Sequence, residues 1–215
     1  MTVRAKICGV NSAAAVAAAV AGSASHLGFV FYPPSPRAVT PSEAATLAAP
    51  VPPATSRVGL FVDPDDEAIA AALDRIELDL LQLHGSESPA RLAAIKARFG
   101  RQVMKAIKIG AAADVEQAAA YADVADWLLF DARAPAGMKG ALPGGNALSF
   151  DWHWLAGRAW PLPWMLSGGL HADNVAAAVA ITGARQVDVS SGVEDAPGRK
   201  SPARIAAFLA VVGTL

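Results

Sequence analysis

Hydrophobic residues recur along this chain in short β-rich runs, separated by polar or alanine-rich stretches with a helical pattern. Eight runs predict strands: "VRAKIC" (3–8), "LGFVFY" (27–32), "RVGLFV" (57–62), "LDLLQL" (78–83), "VMKAI" (103–107), "WLLFD" (127–131), "PWMLS" (163–167) and "QVDVS" (186–190). Intervening stretches such as "PDDEAIAAALDRI" and "ESPARLAAIKARF" predict helices, and "SPARIAAFLAVVG" predicts an eighth helix at the end. Strands that alternate with helices indicate βαβ units and a parallel sheet.

Eight βα units of roughly 25–30 residues each fit a small barrel. We therefore predict an α/β fold, a single (β/α)8 TIM barrel, as one catalytic domain over residues 1–215. The alternative is an open doubly wound sheet, which would favour a GxGxxG phosphate loop after the first strand. The sequence "CGVNS" at that place is not this motif. The proline-rich segment "APVPPATS" (49–56) is too short to separate domains and predicts a surface loop.

The first 25 residues also have the outline of a secretory signal, with a basic start, an alanine-rich middle and small residues after it. Asn11 and Ser12 interrupt the apolar run, and alanine is only weakly apolar. Ser12 suits the N-cap of a helix and Gly22 suits its end. We therefore expect a first βα unit here and a cytoplasmic protein. No later run is long and apolar enough to predict a membrane span.

Composition narrows the functional classes. The chain is 53% hydrophobic and 17% charged, which indicates a globular protein, and its formal net charge of -1 gives no reason to expect a nucleic-acid partner. The single cysteine excludes an internal disulfide and favours a reducing compartment. No cluster of cysteine and histidine predicts a metal site.

Reactive residues stand where several predicted strands end, which is where the active sites of such barrels lie. The strand-end residues are Cys8, Tyr32, His84, Asp131, Ser190 and Ser191. Since side chains alternate along a strand, Lys6 and Arg4 would share the face of Cys8. By the same rule, Asp131 would share a face with Leu129, and Ser190 with Asp188.

Two glycine-containing loops predict a phosphate site. "LSGGLHADNV" (166–175) follows the seventh strand and "VSSGVEDAPG" (189–198) follows the eighth, the usual phosphate position in these barrels. Backbone N–H groups at such turns suit an anion. The candidate residues are Gly168, Gly169, Ser190, Ser191 and Gly192. The alternative is that the glycines only form tight turns.

Each single residue also has an ordinary structural explanation. Cys8 could be core packing, because free cysteine is among the most buried residue types. Asp131 could cap a loop, and His84 could be a histidine whose hydrogen bonds are satisfied at a strand end. Arg37, in the stiff loop "YPPSPR", could be a solvated charge. Taken one at a time, these residues leave the function open.

Taken together, the motifs are specific. They include "KICGV" (6–10), "GFVFYPPSPR" (28–37), "LLQLHGSE" (80–87), "LLFD" (128–131), "SGGL" (167–170) and "VDVSSGVEDAPGRK" (187–200). In this order, and along almost the whole chain, the sequence resembles the phosphoribosylanthranilate isomerases of tryptophan biosynthesis. The resemblance implies an Amadori rearrangement of N-(5-phosphoribosyl)anthranilate to 1-(2-carboxyphenylamino)-1-deoxyribulose 5-phosphate, with no metal or organic cofactor.

The resemblance also implies roles for particular residues. Cys8 matches the general base, Asp131 the general acid, and Arg37 the residue that holds the anthranilate carboxylate. The loops of Gly168, Gly169, Ser190, Ser191 and Gly192 would hold the phosphate. We expect Gln82 and His84 to line the substrate pocket, and Asp188 either to bond a ribose hydroxyl or to pair with Lys6. The implied partner is a small phosphosugar-anthranilate molecule, bound by a monomer or a homodimer without nucleic acid or membrane.

A thiolate is needed for the base, and an ordinary thiol with a pKa near 8.5 supplies little of it at neutral pH. Lys6, the N–H groups of the phosphate loops or His84 would favour the thiolate, whereas the substrate phosphate would oppose it. The sequence leaves this balance open.

The sequence departs from the family in three places. Where the family usually has "GGTG" before "FDW", this chain has "PGGNALSFDW" (143–152), with Asn146 and Ala147. After "SGGL", His171 and Ala172 replace a usual Asn-Pro pair. Near the end, where "GVKD" is common in the family, this chain has "GRKS" (198–201). None of these changes touches Cys8, Asp131 or Arg37.

Other functions fit the motifs less well. Indole-glycerol-phosphate synthase would need lysine and glutamate at strand ends, and ribulose-phosphate epimerase would need a metal-binding His/Asp set. A barrel that only binds a phosphosugar would not need both Cys8 and Asp131. A bifunctional isomerase that also serves histidine synthesis would usually carry aspartate in place of this cysteine.

Overall fold

Eight parallel strands form a closed barrel in the computed structural model, which describes residues 2–135, 137–138 and 142–215. The strands are β1 Arg4–Cys8, β2 His26–Val30, β3 Ser56–Phe61, β4 Leu80–Leu83, β5 Gln102–Ile109, β6 Trp127–Ala132, β7 Trp164–Leu166 and β8 Gln186–Val189. Each strand pairs with the next, and β8 pairs with β1, with Lys6 opposite Asp188. The predicted (β/α)8 barrel is therefore confirmed, and the open doubly wound sheet is wrong.

Among the described residues, six α-helices lie on the outside of the barrel. They are α1 Ala13–Ala21, α2 Pro41–Ala48, α3 Asp66–Leu73, α4 Pro89–Phe99, α5 Val175–Thr182 and α6 Pro202–Val212. Ser12 caps α1 as predicted, because its side chain accepts a hydrogen bond from the N–H of Ala15, and Gly22 directly follows the helix. None of the described helices is both long and apolar enough to cross a membrane.

Two of the connections that were predicted to be regular helices have a different structure. A 3₁₀ helix, Ala112–Tyr121, joins β5 to β6, and its first turn is fixed by Asp114, whose carboxylate accepts from the N–H groups of Gly110 and Ala111. Between β6 and β7 the described residues contain only a 3₁₀ turn, Trp152–Trp154, in a segment rich in glycine and proline. The expectation of eight regular helices is thus wrong at these two connections.

Side chains alternate between the inside of the barrel and the layer under the helices. Ile7 packs in the outer core, whereas Lys6 and Cys8 face inward, as predicted. A plug of apolar side chains fills the middle of the barrel: Val58, Leu80, Met104, Ala106, Leu129 and Met165. Arg4 lies at the opposite end of β1 from the mouth and is exposed. The plug leaves the carboxyl ends of the strands as the open mouth of the barrel.

A short antiparallel hairpin follows β8 and distinguishes this connection from the others. Its strands are β9 Glu194–Ala196 and β10 Arg199–Lys200, and the hairpin ends where α6 begins. Asn11, in the β1–α1 connection, donates to the carbonyl of Gly198 at the hairpin turn. The hairpin is therefore attached to the mouth of the barrel beside the end of β1.

Candidate active site

A cleft of about 710 Å³, which includes space open to solvent, lies in the mouth of the barrel. The predicted site residues that line it are Cys8, Arg37, His84, Asp131, Gly168, Gly169, Asp188, Ser190 and Ser191. Gly192 is not among the residues that line the cleft, and a Cβ at this position would clash with the carbonyl oxygen of Leu170. The structure therefore brings residues from across the sequence to one place.

Cys8 ends β1 and is buried among apolar side chains, with Val30 and Leu60 as neighbours. Gly28 of β2 leaves room for it, since a Cβ there would lie 3.1 Å from the sulfur. Burial raises the pKa of the Cys8 thiol, and the nearby Asp188 carboxylate adds to this effect. The positive charges of Lys6 and Lys200 act in the opposite direction. The predicted help from Lys6 is present, but burial outweighs it.

Lys6 and Asp188 form a buried ion pair inside the barrel, with Nζ 2.9 Å from Oδ1. Ser167 donates a hydrogen bond to the other oxygen of Asp188, at 3.1 Å. Although burial alone would lower it, the pKa of Lys6 is raised by the negative charges of Asp188 and Cys8. The pairing that the sequence left open for Asp188 is thus present. It keeps Lys6 charged directly below Cys8.

Asp131 ends β6 and is held at both carboxylate oxygens. The N–H of Ala132 donates to Oδ1 at 3.0 Å, and Nε2 of His84 lies 3.1 Å from Oδ2. Nδ1 of His84 is in turn 2.8 Å from the side-chain amide of Gln82. His84 therefore holds the carboxyl group of Asp131, and it is not bonded to Cys8, for which it was one of the expected activators. Gln82 itself is not among the residues that line the cleft, so the expectation that it would do so is wrong.

The loop between β6 and β7 closes over this carboxyl group. At Gly144, a Cβ would lie 2.6 Å from Nε2 of His84 and 2.8 Å from Oδ2 of Asp131, so only glycine allows this approach. Asn146 forms two hydrogen bonds with the backbone of Leu142, at 3.0 and 2.7 Å. Ala147 has a left-handed backbone with φ 57, a conformation that favours glycine. Asn146 and Ala147, the two residues that depart from the family motif, thus contribute to the conformation of this loop.

Arg37 is buried, with 5% of its surface exposed, so the alternative of a solvated charge is wrong. Its guanidinium group donates two hydrogen bonds to Glu194, from Nε at 2.7 Å and from Nη2 at 2.8 Å. Nη2 also donates to the carbonyl of Gly145 at 3.0 Å. Such a two-pronged contact fixes the plane of the guanidinium group. Arg37 is therefore oriented at the wall of the cleft.

Glu194 and Lys200, the two ends of the hairpin after β8, complete this arrangement. Nζ of Lys200 lies 2.7 Å from Oε1 of Glu194 and donates to the carbonyl of Ser190 at 2.8 Å. Burial opposes the charge of Glu194, but its contacts with Arg37 and Lys200 lower its pKa below the ordinary value. Burial lowers the pKa of Lys200, and Glu194 offsets only part of this. Neither residue was predicted to belong to the site, although the charged motif "VEDAPGRK" contains both.

The two predicted phosphate loops lie side by side. Gly168 and Gly169 have φ values of 91 and 65, which residues with side chains rarely adopt, and a Cβ at Gly168 would lie 2.8 Å from the backbone nitrogen of Ala132. Asn174 fixes the first loop, because its side chain accepts from the N–H of His171 at 2.8 Å and donates to the carbonyl of Gly169 at 2.9 Å. Asn174 thus ties this loop to the start of α5.

Comparisons with known proteins agree with this geometry. The family model described as "N-(5'phosphoribosyl)anthranilate (PRA) isomerase" matches residues 5–211. The N-(5'-phosphoribosyl)anthranilate isomerase of Rhodospirillum centenum is 58% identical over 215 residues, which cover 100% of both chains. The crystal structure of the phosphoribosyl anthranilate isomerase from Thermotoga maritima is 33% identical and superposes with a TM-score of 0.87, again over 100% of both chains.

A further crystal structure contains an isomerase of this kind in complex with reduced 1-(o-carboxyphenylamino)-1-deoxyribulose 5-phosphate. It is 32% identical to this chain, covers 100% of both chains and has a TM-score of 0.85. The match of the family model and the identity over the full chain lead to one assignment. This protein belongs to the N-(5'-phosphoribosyl)anthranilate isomerase family.

Proposed function

We propose that this protein converts N-(5-phosphoribosyl)anthranilate to 1-(2-carboxyphenylamino)-1-deoxyribulose 5-phosphate in tryptophan biosynthesis. Family membership supports this activity. The observation that carries the proposal is that one cleft is lined by the only thiol, by the buried carboxyl group of Asp131, by Arg37 and by both glycine loops. These are the groups that an acid–base isomerisation of an anionic phosphosugar needs.

The substrate has two anionic ends, and the cleft has a complementary feature for each. The phosphate would lie at the loops of Gly168, Gly169, Ser190 and Ser191, where positive-φ glycines turn the backbone towards the ligand. The anthranilate carboxylate would lie at Arg37, whose orientation Glu194 fixes. This orientation would put the ribose ring between the strand ends that carry Cys8 and Asp131.

The first chemical step opens the furanose ring. Asp131, in its protonated form, would give its proton to the ring oxygen as the bond between C1′ and that oxygen breaks. The lone pair of the anthranilate nitrogen forms the new C1′–N double bond, so the product is a protonated Schiff base. His84 and the N–H of Ala132 hold the Asp131 carboxyl group in one orientation, which supports general acid catalysis at a fixed position.

The second step moves a proton from carbon. The Schiff base acidifies the C2′ proton, and the thiolate of Cys8 would remove it to form an enolamine. A proton then adds to C1′ and the 2′-hydroxyl loses its proton, which gives the ketose. Because burial raises the pKa of Cys8, only a minor fraction of thiolate is available in the free enzyme, and Lys6 and Lys200 act to increase it.

The proposed activity is tested by the fluorescence of phosphoribosylanthranilate. We expect this fluorescence to decay when the purified protein is added, and chromatography to recover an isomer of unchanged mass. Stable fluorescence with a substrate preparation that another isomerase of this family consumes would contradict the proposed function.

A further inference from the structure

The buried cluster of Arg37, Glu194 and Lys200 connects two parts of the cleft that the mechanism uses separately. Glu194 sits in the centre, with the guanidinium group of Arg37 on one side and Nζ of Lys200 on the other. All three residues are less than one-tenth exposed. A buried cluster of this kind has defined geometry, because each charge depends on its partners.

Lys200 has a second set of contacts beyond Glu194. Its Nζ donates to the carbonyl oxygen of Ser190 at 2.8 Å and lies 3.3 Å from the Ser190 hydroxyl. Ser190 is the first residue after β8 and lines the cleft together with Ser191. One ammonium group therefore contacts both the start of the second glycine loop and the carboxylate that orients Arg37.

We propose that Lys200 is a positioning residue that couples the two anion-binding ends of the site, through Ser190 at one end and through Glu194 at the other, and that Glu194 is the positioning residue for Arg37. This inference rests on the proposed function, which assigns the phosphate to one end and the anthranilate carboxylate to the other. The cluster contains two cations and one anion, so a bound carboxylate completes its charge balance. Neither residue is proposed to touch the reacting atoms.

A substitution that neutralises Glu194 can distinguish a positioning role from a purely electrostatic effect. Replacing Glu194 with glutamine removes a negative charge near the carboxylate site. If the local field alone governed binding, the variant would bind an anion more tightly. If Glu194 orients Arg37, the variant loses the charged two-pronged contact and binds the anion more weakly. The two explanations predict changes of opposite sign.

The experiment measures competitive inhibition by two fragments of the substrate, anthranilate and ribose 5-phosphate, with phosphoribosylanthranilate turnover as the readout. For Glu194→Gln we expect the inhibition constant of anthranilate to rise by about tenfold, the size of a lost charged hydrogen bond, and that of ribose 5-phosphate to stay unchanged. For Lys200→Met we expect both constants to rise. Tighter anthranilate binding by Glu194→Gln, or loss at only one end in Lys200→Met, would overturn the proposal.

Removing a single buried charge can destabilise the fold, so the double variant Glu194→Gln/Lys200→Met provides a second test. It removes one charge of each sign and leaves the net charge unchanged. We expect it to weaken both fragments, and unchanged constants in the folded double variant would refute the coupling. The matched control is Asp195→Asn, in the same hairpin, whose exposed pair with Arg204 spans 3.3 Å; it should leave both constants unchanged.

A failure of the coupling proposal can be distinguished from a failure of the proposed function. If the wild-type protein does not consume phosphoribosylanthranilate, the function itself is wrong. If the wild type does consume it and the variants show no end-specific pattern, only the coupling through Lys200 is wrong.

Discussion

Acidification should destabilise this protein through His26, at the floor of the barrel. His26 begins β2 and is 7% exposed; its Nδ1 lies 2.9 Å from the Ser25 hydroxyl, and its ring meets the edge of Trp127 at a centroid distance of 5.8 Å. Burial lowers the pKa of His26 from 6.5 to about 4, and the positive charges of Lys6 and Arg4 add to this effect, with Asp79 opposing it. The folded protein therefore keeps this ring neutral.

The size of this loss of stability follows from the difference between the pKa of His26 in the unfolded chain and in the folded protein. The unfolded chain binds a proton below pH 6.5 and the folded chain only below about pH 4. The contribution to the free energy of unfolding is therefore intact above about pH 6.5 and is lost as the pH falls towards 4. The full shift corresponds to about 3 kcal/mol, of which about 2 kcal/mol is lost between pH 7 and pH 5.

Urea unfolding at pH 7, 6 and 5 measures this loss. We compare the wild type with His26→Asn, whose side chain can still bond the Ser25 hydroxyl but does not titrate. The variant should be less stable at pH 7 yet lose about 2 kcal/mol less than the wild type on going to pH 5. His153→Asn, at an exposed position, should follow the wild type. Equal losses in the wild type and His26→Asn would refute this explanation.

Three further outcomes follow from the site and its support. Arg37→Ala should raise KM by about tenfold or more with a smaller change in kcat, since the role proposed for this side chain is to bind the anthranilate carboxylate; steady-state kinetics measure this, and a change in kcat alone would contradict it. Alkylation of Cys8 by iodoacetamide should be slower than that of glutathione at pH 7.5 and still increase above pH 9, because its pKa is raised; a plateau below pH 8 would contradict it. Lys105→Met should cost about 3–5 kcal/mol in urea unfolding, because it leaves Glu87 buried without its partner at 2.7 Å. The exposed control Arg98→Gln should cost at most about 1 kcal/mol, and equal costs would contradict this.

The barrel could be predicted because its evidence is local. Each strand is a short apolar run, and the βα alternation repeats eight times, so errors at individual ends do not change the topology. For example, the fourth strand was predicted over 78–83 and spans Leu80–Leu83. The connection at Ala112–Tyr121 was harder to predict, since an alanine-rich segment favours an α-helix but Asp114 fixes a tighter turn through contacts with the end of β5.

The candidate site was predictable only in part, because some of its contacts join residues that are far apart in the sequence. Cys8, Asp131 and His84 are marked by their positions at strand ends. The contact between Arg37 and Glu194 joins residues 157 positions apart, and nothing local in either segment indicates it. The hairpin that brings Glu194 and Lys200 together is likewise visible only in the folded chain.

The central claim is that Cys8 and Asp131 act as base and acid in one cleft. It is tested most directly by the kcat of Cys8→Ala and Asp131→Asn, measured from the decay of phosphoribosylanthranilate fluorescence, with circular dichroism to show that each variant is folded. We expect each variant to lose about 10²-fold or more in kcat. Turnover by folded Cys8→Ala or folded Asp131→Asn at the wild-type rate would contradict the account.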